Sequence, residues 1–499
     1  MIIYDGEADG QTKDDTYEGL TLRHPQAAHT HAVSLLPDYA TSEAEHWKVV
    51  QPQQPKPRLL DSRILKGALY ALVIYIFLSL VIVTPVVVIK SRKVDYEEDT
   101  WSVGPTSSLW SVENQVFPTP LQLSPAGIMS LDANKTCNVW SSTTAWNNTS
   151  ILQFTLPPNG LVTIRSNVTS NFTTNQITGT LAVALNSDNT VKTIQFSAEV
   201  QFSSEYLRYN THVCLAGQGS DRGLSIFVPK ELGQEDNLNF RIEVLLPAGA
   251  AVDSFVTSLP MLTQNFDDFR PHFSANEFYI EGMGRPITCK FLQAPRILVK
   301  NVAGPIQGSF NVTDAIILDS VKGSIISNVT LTKPPSCTKP ILLTMDTGDS
   351  AIQANIHLDS YGSLLSMPNS PSYIARVGNF NGPLDLNISY QNNAVGSPLH
   401  LQVENNLAKT TVAIDATYQG SFSAKAKLSQ VTLTASGVLP EYAPSGKIAS
   451  SRTNIVYDQN SGDIASGWIG RGPRPMSSSW KQSYVDIASA LSPVALIFR

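Results

Sequence analysis

Asparagine is absent from the 499-residue chain before Asn114 and cysteine before Cys137. Charge is sparse as well: Asp, Glu, Lys and Arg make up 15% of the residues, and the net charge is -6. A nucleic-acid binder needs a basic face to neutralise phosphates, so this balance excludes one. No Asp-x-Asp pair, Gly-x-Ser-x-Gly elbow or P-loop occurs anywhere. Their absence removes the metal–nucleotide grip of many glycosyltransferases, the hydrolase nucleophile turn and the phosphate cradle. Gly217 to Gly223 (GQGSDRG) does not follow the dinucleotide spacing, and the alternating α/β pattern of nucleotide-sugar enzymes is missing. The histidines are scattered: His212, His272, His357 and His400 stand alone, and His24, His29 and His31 have no cysteine or carboxylate pair nearby. No metal or cofactor site is expected.

One absence is local. Residues 67–89, GALYALVIYIFLSLVIVTPVVVI, contain no charge. As a helix this run would rise about 35 Å, enough to cross a hydrocarbon core of about 30 Å. It starts too late and runs too long for a cleavable signal peptide. Lys48, Lys56, Arg58, Arg63 and Lys66 precede it, and only Lys90, Arg92 and Lys93 come after it. That bias places the N-terminus in the cytosol. All eight Asn-x-Ser/Thr sequons lie on the other side, at Asn134, Asn147, Asn148, Asn167, Asn171, Asn311, Asn328 and Asn387. So do all four cysteines, Cys137, Cys214, Cys289 and Cys337. Glycan transfer and disulfides both need the secretory lumen, so the two signals agree on a signal anchor with its C-terminus outside. The plasma membrane is the expected location, although a vacuolar or Golgi membrane would give the same topology. Four cysteines admit three pairings; Cys137–Cys214 with Cys289–Cys337 would staple two local regions and is the expectation adopted.

The tail, residues 1–66, is polar, Pro-rich near the membrane and without hydrophobic period, which predicts disorder. Within it Leu36-Pro37-Asp38-Tyr39 matches the peptides that WW domains bind, with Leu36, Pro37 and Tyr39 as the contact residues. Residues 90–135 read as a stalk.

From about residue 136 short runs of β-branched residues, Ser/Thr and Gly alternate, and the chain reads as all-β. Residues 136–284 read as a β-sandwich-like region or as the first coils of the repeat region after them. Residues 285–499 carry an internal repeat. Ile325-Ile326-Ser327-Asn328-Val329-Thr330-Leu331 aligns with Ile352-Gln353-Ala354-Asn355-Ile356-His357-Leu358 and with Leu384-Asp385-Leu386-Asn387-Ile388-Ser389-Tyr390, and a degenerate copy begins at Ile306. Positions 1, 3, 5 and 7 are apolar or small and positions 4 and 6 polar, so each copy is a strand with one wet face carrying the repeated Asn. Gly-bearing turns precede the copies, which stand 19 to 32 residues apart. A β-solenoid or stacked β-sandwich repeats would satisfy this pattern.

The stretches GLSIFVPKELGQEDNLNFRIEVLLP, VAGPIQGSFNV, SVKGSIISNVTL, TGDSAIQANIHL, FNGPLDLNISY, ATYQGSFSAKAKLSQVTL and ASALSPVALIF resemble the ectodomains of uncharacterised fungal single-pass membrane proteins. The resemblance covers residues 220–499 and the overall layout. It implies a Pro/Tyr-bearing cytosolic tail, one membrane helix and an adhesin-like β-repeat ectodomain without catalytic residues. The chain departs from that family's T-S-N-G-P turns, with TGDS and VKGS in their place.

Asp346-Thr347-Gly348 is the sharpest enzymatic motif, since aspartic proteases carry D-T-G. A catalytic dyad needs two such carboxylates, and no second D-T-G or D-S-G exists in the chain. The same stretch fits the turn slot of the repeat. The expectation is therefore a non-catalytic, membrane-anchored surface glycoprotein. Its expected partners are the lipid bilayer, cell-wall polysaccharide or other ectodomains, and a WW-domain protein at the tail. A secretory-pathway hydrolase or glycosyltransferase, or a scaffold signalling through its tail, is the alternative.

Overall fold

Alternation with a period of two leaves a strand one way to bury its apolar residues, and here the strands bury theirs against copies of themselves. The computed structural model describes residues 136–144, 148–168, 176–216, 222–335, 337–361, 371–391, 394–435, 453–471, 474 and 483–499. The expected tail with Leu36, Pro37 and Tyr39, the membrane segment 67–89, the stalk 90–135, and Asn134, Asn147 and Asn171 lie outside these residues. Among the described residues no helix is long and apolar enough to cross a membrane.

The chain opens with β1 (Thr136–Cys137), β2 (Ser142–Thr144), β3 (Thr149–Leu156), β4 (Leu161–Ser166), β5 (Ile177–Leu185) and β6 (Ile194–Phe202). A short helix, α1 (Glu205–Asn210), comes next, then β7 (His212–Ala216), β8 (Arg222–Phe227) and β9 (Leu238–Leu246). After these come β10 (Ala250–Ser258), β11 (Thr263–Asp268), β12 (Phe273–Gly282) and two long strands, β13 (Ile287–Asn301) and β14 (Ile306–Ser320). The repeat proper supplies β15 (Ile325–Lys333), β16 (Ile341–Thr347), β17 (Ile352–Ser360), β18 (Tyr373–Asn379), β19 (Leu384–Tyr390), β20 (Leu399–Asn405) and β21 (Thr410–Ile414). The chain closes with β22 (Gly420–Ala426), β23 (Val431–Ala435), β24 (Thr453–Ser461), β25 (Ile464–Arg471), β26 (Tyr484–Ser489) and β27 (Val494–Phe498).

These strands form two parallel sheets. Sheet I runs β9–β5–β11–β13–β14–β15–β17–β19–β21–β27–β23. Sheet II runs β8–β4–β10–β12–β13–β14–β16–β18–β20–β26–β22. Each coil gives one strand to each sheet, and β13 and β14 bend to serve both. This is a β-solenoid, which decides between the two expected arrangements.

The aligned repeat copies are stacked position for position. Ile306, Ile325, Ile352, Leu384 and Thr410 form one column, and Phe310, Val329, Ile356 and Ile388 another. The odd positions point between the sheets, where Ile325, Val329, Leu331, Ile352, Leu384 and Leu386 are buried. Each such Leu or Ile contributes about 1.5–3 kcal/mol of transfer free energy.

A second column holds the corner where sheet II passes to the next coil: Asn301, Ser320, Thr347, Asn379, Asn405 and Ser489. All are buried. Their side chains satisfy turn backbone that would otherwise lose water without replacement. Asn301 Nδ2 donates to the Arg285 carbonyl at 2.8 Å, and Ser320 Oγ accepts from Gly323 N at 2.8 Å. Asn379 accepts from Gly382 N at 3.0 Å while donating to the Ser350 carbonyl at 2.7 Å. The turn above each of these side chains approaches the next so closely that a Cβ at Gly323 would strike the Gly304 carbonyl, and one at Gly382 the Ser350 carbonyl. Glycine is required there by contact with the next coil.

Antiparallel strands finish both ends. At the N-terminal end β6, β3 and β2 continue sheet I beyond β9, and β7 and β1 continue sheet II beyond β8. At the other end β25 and β24 continue sheet II beyond β22. The ends are also interleaved. The coil β4–β5 lies inside β8–β9 although it precedes them in sequence, and β26–β27 lies inside β22–β23 although it comes after them.

Of the two readings of residues 136–284 the strands follow the first coils of the repeat region, and the expected second disulfide is corrected. The architecture does not change at residue 284: β4, β5 and β8 to β12 already stack in parallel, and β12 passes in register to β13. Only β1–β3, β6 and β7 are antiparallel in that region. Cys137 and Cys214, which face each other across β1 and β7, are disulfide-bonded, but Cys289 and Cys337 are both free. Cys289 points into the core from β13, whereas Cys337 sits in the connection beyond β15 with its sulfur 3.5 Å from the Lys339 carbonyl oxygen. The intervening strand β14 puts β13 and β15 about 10 Å apart, beyond the Cα separation of about 7 Å that a bridge tolerates.

Replacing Gly323 with alanine is expected to lower stability by about 2 to 3 kcal/mol, because the added methyl meets backbone and not a movable side chain. A urea midpoint indistinguishable from wild type would show that the turns are not in contact. Gly462, with open space around its Cβ, is the matched control.

Candidate functional site

Strand registers sort the outward side chains into straight columns. On the outer face of sheet I one column reads Thr288, Gln307, Ile326, Gln353, Asp385 and Thr411. The next reads Ser309, Asn328, Asn355, Asn387 and Ala413. Carboxamides of successive coils link up in the second: Asn355 Nδ2 donates to Asn328 Oδ1 at 2.8 Å and Asn387 Nδ2 to Asn355 Oδ1 at 3.3 Å. Arg499 closes this ladder by donating to Asn387 Oδ1 at 3.1 Å. In the third column His357 Nδ1 lies 2.7 Å from Ser389 Oγ.

A groove of about 380 Å³ opens in this face, lined by Thr288, Gln307, Gly308, Ser309, Ile326, Ser327, Asn328, Gln353 and Asn355. Gly308 and Ser327 lie at inward positions, and the outward Thr288, Gln307, Ser309, Ile326, Asn328, Gln353 and Asn355 form the groove walls. A second groove, about 460 Å³, opens on the same face nearer the N-terminal end, where Gln153, Thr155, Gln195, Ser197 and Glu243 surround the stacked Phe154–Phe196 pair. Seven of the nine residues lining the first groove carry an amide or hydroxyl, while the second mixes four such residues with Phe154, Phe196, Leu245 and Glu243. Such a surface offers donors and acceptors in equal measure and little net charge, which suits a neutral, hydroxyl-rich ligand better than an ionic one.

The sequons fall in different surroundings. Asn328 is exposed, and Asn148, Asn167, Asn311 and Asn387 are half-buried. Asn167 is pinned by both ends of its carboxamide to Val228, donating to the carbonyl at 3.0 Å and accepting from the amide at 2.8 Å. Asn311 Oδ1 accepts from Thr332 Oγ1 at 2.8 Å.

Asp346 lies on the opposite sheet, on the outer face of β16 just before the turn. Thr347 is structural: it points inward, and its Oγ1 donates to the Gly323 carbonyl at 3.0 Å. Sequence spacing gave Asp346 no carboxylate partner, yet register places Asp319 beside it. Glu404 stands two coils further on, past Gly378. The missing side chain of Gly378 makes room for the Asp346 carboxylate, whose Oδ2 is 3.1 Å from where a Cβ would sit. Burial, then repulsion from Asp319 and Glu404, pushes the Asp346 carboxyl up from 3.8 to about 6. Neither groove includes Asp346. Among the described residues no group of three or more His, Cys, Asp or Glu could hold a metal ion.

Asn355 was read from sequence as a repeated Asn on the wet face, but groove residues Gln307 and Gln353 were not singled out. Their signal was the wet positions of the repeat, which fix a face but not where a groove opens in it.

The arrangement defines a capped, two-sheet parallel β-solenoid with a polar, ladder-bearing face. No protein-family model matches the chain, and no curated protein does. Among solved structures, a candidate cell adhesion protein from Clostridium sporogenes aligns at 8% identity, covering 70% of this chain and 100% of that one, with a TM-score of 0.16. A candidate adhesin from Parabacteroides distasonis aligns at 14% identity over 54% of this chain and 97% of its own, with a TM-score of 0.24.

The raised pKa of Asp346 makes a signed prediction. The folded state holds this proton more tightly than the unfolded chain, so the stability it brings is complete below pH 4 and is lost as pH rises through 6. Asp346→Asn is expected to stabilise the protein by about 1–2 kcal/mol at pH 7, after allowance for solvent screening, and by nothing near pH 4. Melting curves across this range that run parallel for the two proteins would contradict the assignment.

Proposed function

We propose that the protein is a membrane-anchored cell-surface glycoprotein whose solenoid is a non-catalytic display surface for neutral polysaccharide. The observation that carries this reading is the outer face of sheet I, where amides and hydroxyls repeat in register and two grooves open among them. A saccharide can lie along the columns, since successive coils repeat the same donor–acceptor pair about every 4.8 Å. Anchoring rests on the uncharged run at 67–89 with sequons and cysteines beyond it. The Cys137–Cys214 disulfide fits the oxidising compartment that this topology requires. Asp319 and Asp346 are adjacent, but they lie on the sheet opposite the grooves, so they have no place in this reading.

Asn328 lines the groove and heads a sequon. A glycan on its Nδ2 leaves Oδ1 free to accept from Asn355, so the ladder survives glycosylation while the groove mouth is covered. Occupancy of this one site therefore sets whether the groove is open.

Secreted residues 90–499 should bind at least one neutral wall polysaccharide, such as a glucan, mannan or chitin, in calorimetry. Replacing both Gln307 and Gln353 with alanine should weaken that binding about tenfold, as expected for two neutral hydrogen bonds of about 1 kcal/mol each, less what water restores. Asn328→Gln should tighten binding if the native site is occupied in mass spectra. Failure to bind any such polysaccharide, or binding that ignores the double substitution, would sink this assignment.

A further inference from the structure

The turns that lead from sheet II to sheet I build a ridge along one edge of the solenoid. Eight successive turns have four residues each: those joining β12 to β13, β13 to β14, β14 to β15, β16 to β17, β18 to β19, β20 to β21, β26 to β27 and β22 to β23. A backbone bond ties each to the next. Ala303 N–H donates to the Met283 carbonyl, Lys322 to Val302, Gly348 to Val321, Asn381 to Gly348, Leu407 to Phe380, Leu491 to Asn406 and Leu428 to Ala490.

Turns that face water ordinarily hold polar residues. Six of these eight instead expose a large apolar side chain at their first or second position. In order along the ridge they are Val302 at 43%, Val321 at 54%, Phe380 at 54%, Leu407 at 39%, Leu491 at 50% and Leu428 at 71%. Exposed apolar residues scattered singly need no explanation, but a contiguous row of them marks an interaction surface.

We propose that this ridge is where the protein pairs with a second copy of itself, the two solenoids running antiparallel. The break in the row selects that occupant. Gly348 leaves a notch at the first position of the fourth turn, and Phe380 stands beside it at the first position of the fifth. A two-fold axis between these turns, running from sheet to sheet, seats the Phe380 ring of each copy over Gly348 of the other. The same axis brings Val321 to the turn of Leu407 and Val302 to the turn of Leu491. Each charged turn residue, Arg285, Lys322, Asp349, Lys409 or Lys427, then meets an uncharged position. A parallel pair would set each turn against itself and leave the notch unfilled. A bilayer is fluid and has no use for a notch beside a protrusion.

Seven inter-coil steps make the ridge about 34 Å long, and the sheet spacing makes it about 10 Å wide. Two copies would bury about 700 Å² between them, below the roughly 1,200 Å² of a stable complex. The contact is therefore transient in dilute solution and strengthens where copies are crowded. Its axis leaves the sheet I faces of both copies side by side. No ridge residue lines either groove, so the pairing stands apart from polysaccharide binding.

The test uses the full-length chain, concentrated in detergent, with Cys337→Ser to remove the half-buried free thiol. One preparation carries Ala303→Cys and another Leu491→Cys, both at second turn positions. The antiparallel pair sets these two sites opposite each other, while like sites stand five steps, about 24 Å, apart. With a short bifunctional thiol reagent, the mixture is expected to give at least ten times the covalent dimer of either preparation alone. Equal yields, dimers from one preparation by itself, or no dimer would overturn the proposal. Adding Phe380→Asp to both chains should lower the mixed yield at least tenfold with the β-sheet signal intact, and an unchanged yield would also overturn it. Should Phe380→Asp fail to fold, Val321→Asp takes its place with the same expectation.

Discussion

Parallel coils hydrogen-bonded in register impose one constraint on everything else: each side chain sits about 4.8 Å from the residue at the same position of the next coil. A column must therefore be compatible with itself. Apolar columns satisfy this by packing, as Ile306, Ile325, Ile352 and Leu384 do. Polar columns satisfy it by hydrogen bonding like to like, as Asn328, Asn355 and Asn387 do. Charged columns cannot, and the price appears at Asp319 and Asp346, where burial and a like neighbour hold a proton on Asp346 up to about pH 6. The corner column obeys the same rule with small polar residues that tie the turns, and the turns stack so tightly that only glycine fits at Gly304, Gly323 and Gly382.

The constraint also creates a hazard, because a stack of parallel strands ends in unpaired edges that can template other chains. Here antiparallel strands cover both sheets at the N-terminal end and sheet II at the other, and at each end a coil from another part of the chain is inserted behind the last parallel one. Unravelling from either end must then disrupt strands distant in sequence. At the N-terminal end the Cys137–Cys214 bridge, spanning 77 residues, ties the edge pair β1–β7.

How much of this was legible in the sequence comes down to the same geometry. Strands β15, β17 and β19 were legible because sheet I is wet outside, so Ile352, Ala354, Ile356 and Leu358 alternate with Gln353, Asn355 and His357. The strands of sheet II were legible only as strand-like runs between the copies, and stretches such as Ala315-Ile316-Ile317-Leu318 are apolar on both faces and carry no period that would assign a face. Residues 136–284 looked different from the repeat because β4 and β5 are separated in sequence from their partners β8 and β9 by the antiparallel β6 and β7. Contacts made through register were invisible for the same reason. Nothing in D-T-G announces Asp319, which lies 27 positions earlier, and the even cysteine count invited a Cys289–Cys337 bridge that β14 stands in the way of.

The two outer faces thus differ in kind, and the difference constrains function. A solenoid wet on both faces could present either to a partner, and its specificity would have to come from loops. In this chain the outward side chains of sheet II are apolar at Leu298, Ala315 and Ile317 and polar at Arg376, Gln402 and Glu404, whereas sheet I carries one amide ladder across several coils. Its ladder fixes the amide orientations before any ligand arrives: Asn355 both donates to Asn328 and accepts from Asn387, and it cannot turn over without breaking both bonds. Side chains held in this way lose little further freedom on binding, which favours recognition by a flat array over recognition by mobile loops. The same face carries the Asn-x-Ser/Thr sequences of Asn328 and Asn387, and the side chains of both belong to the ladder.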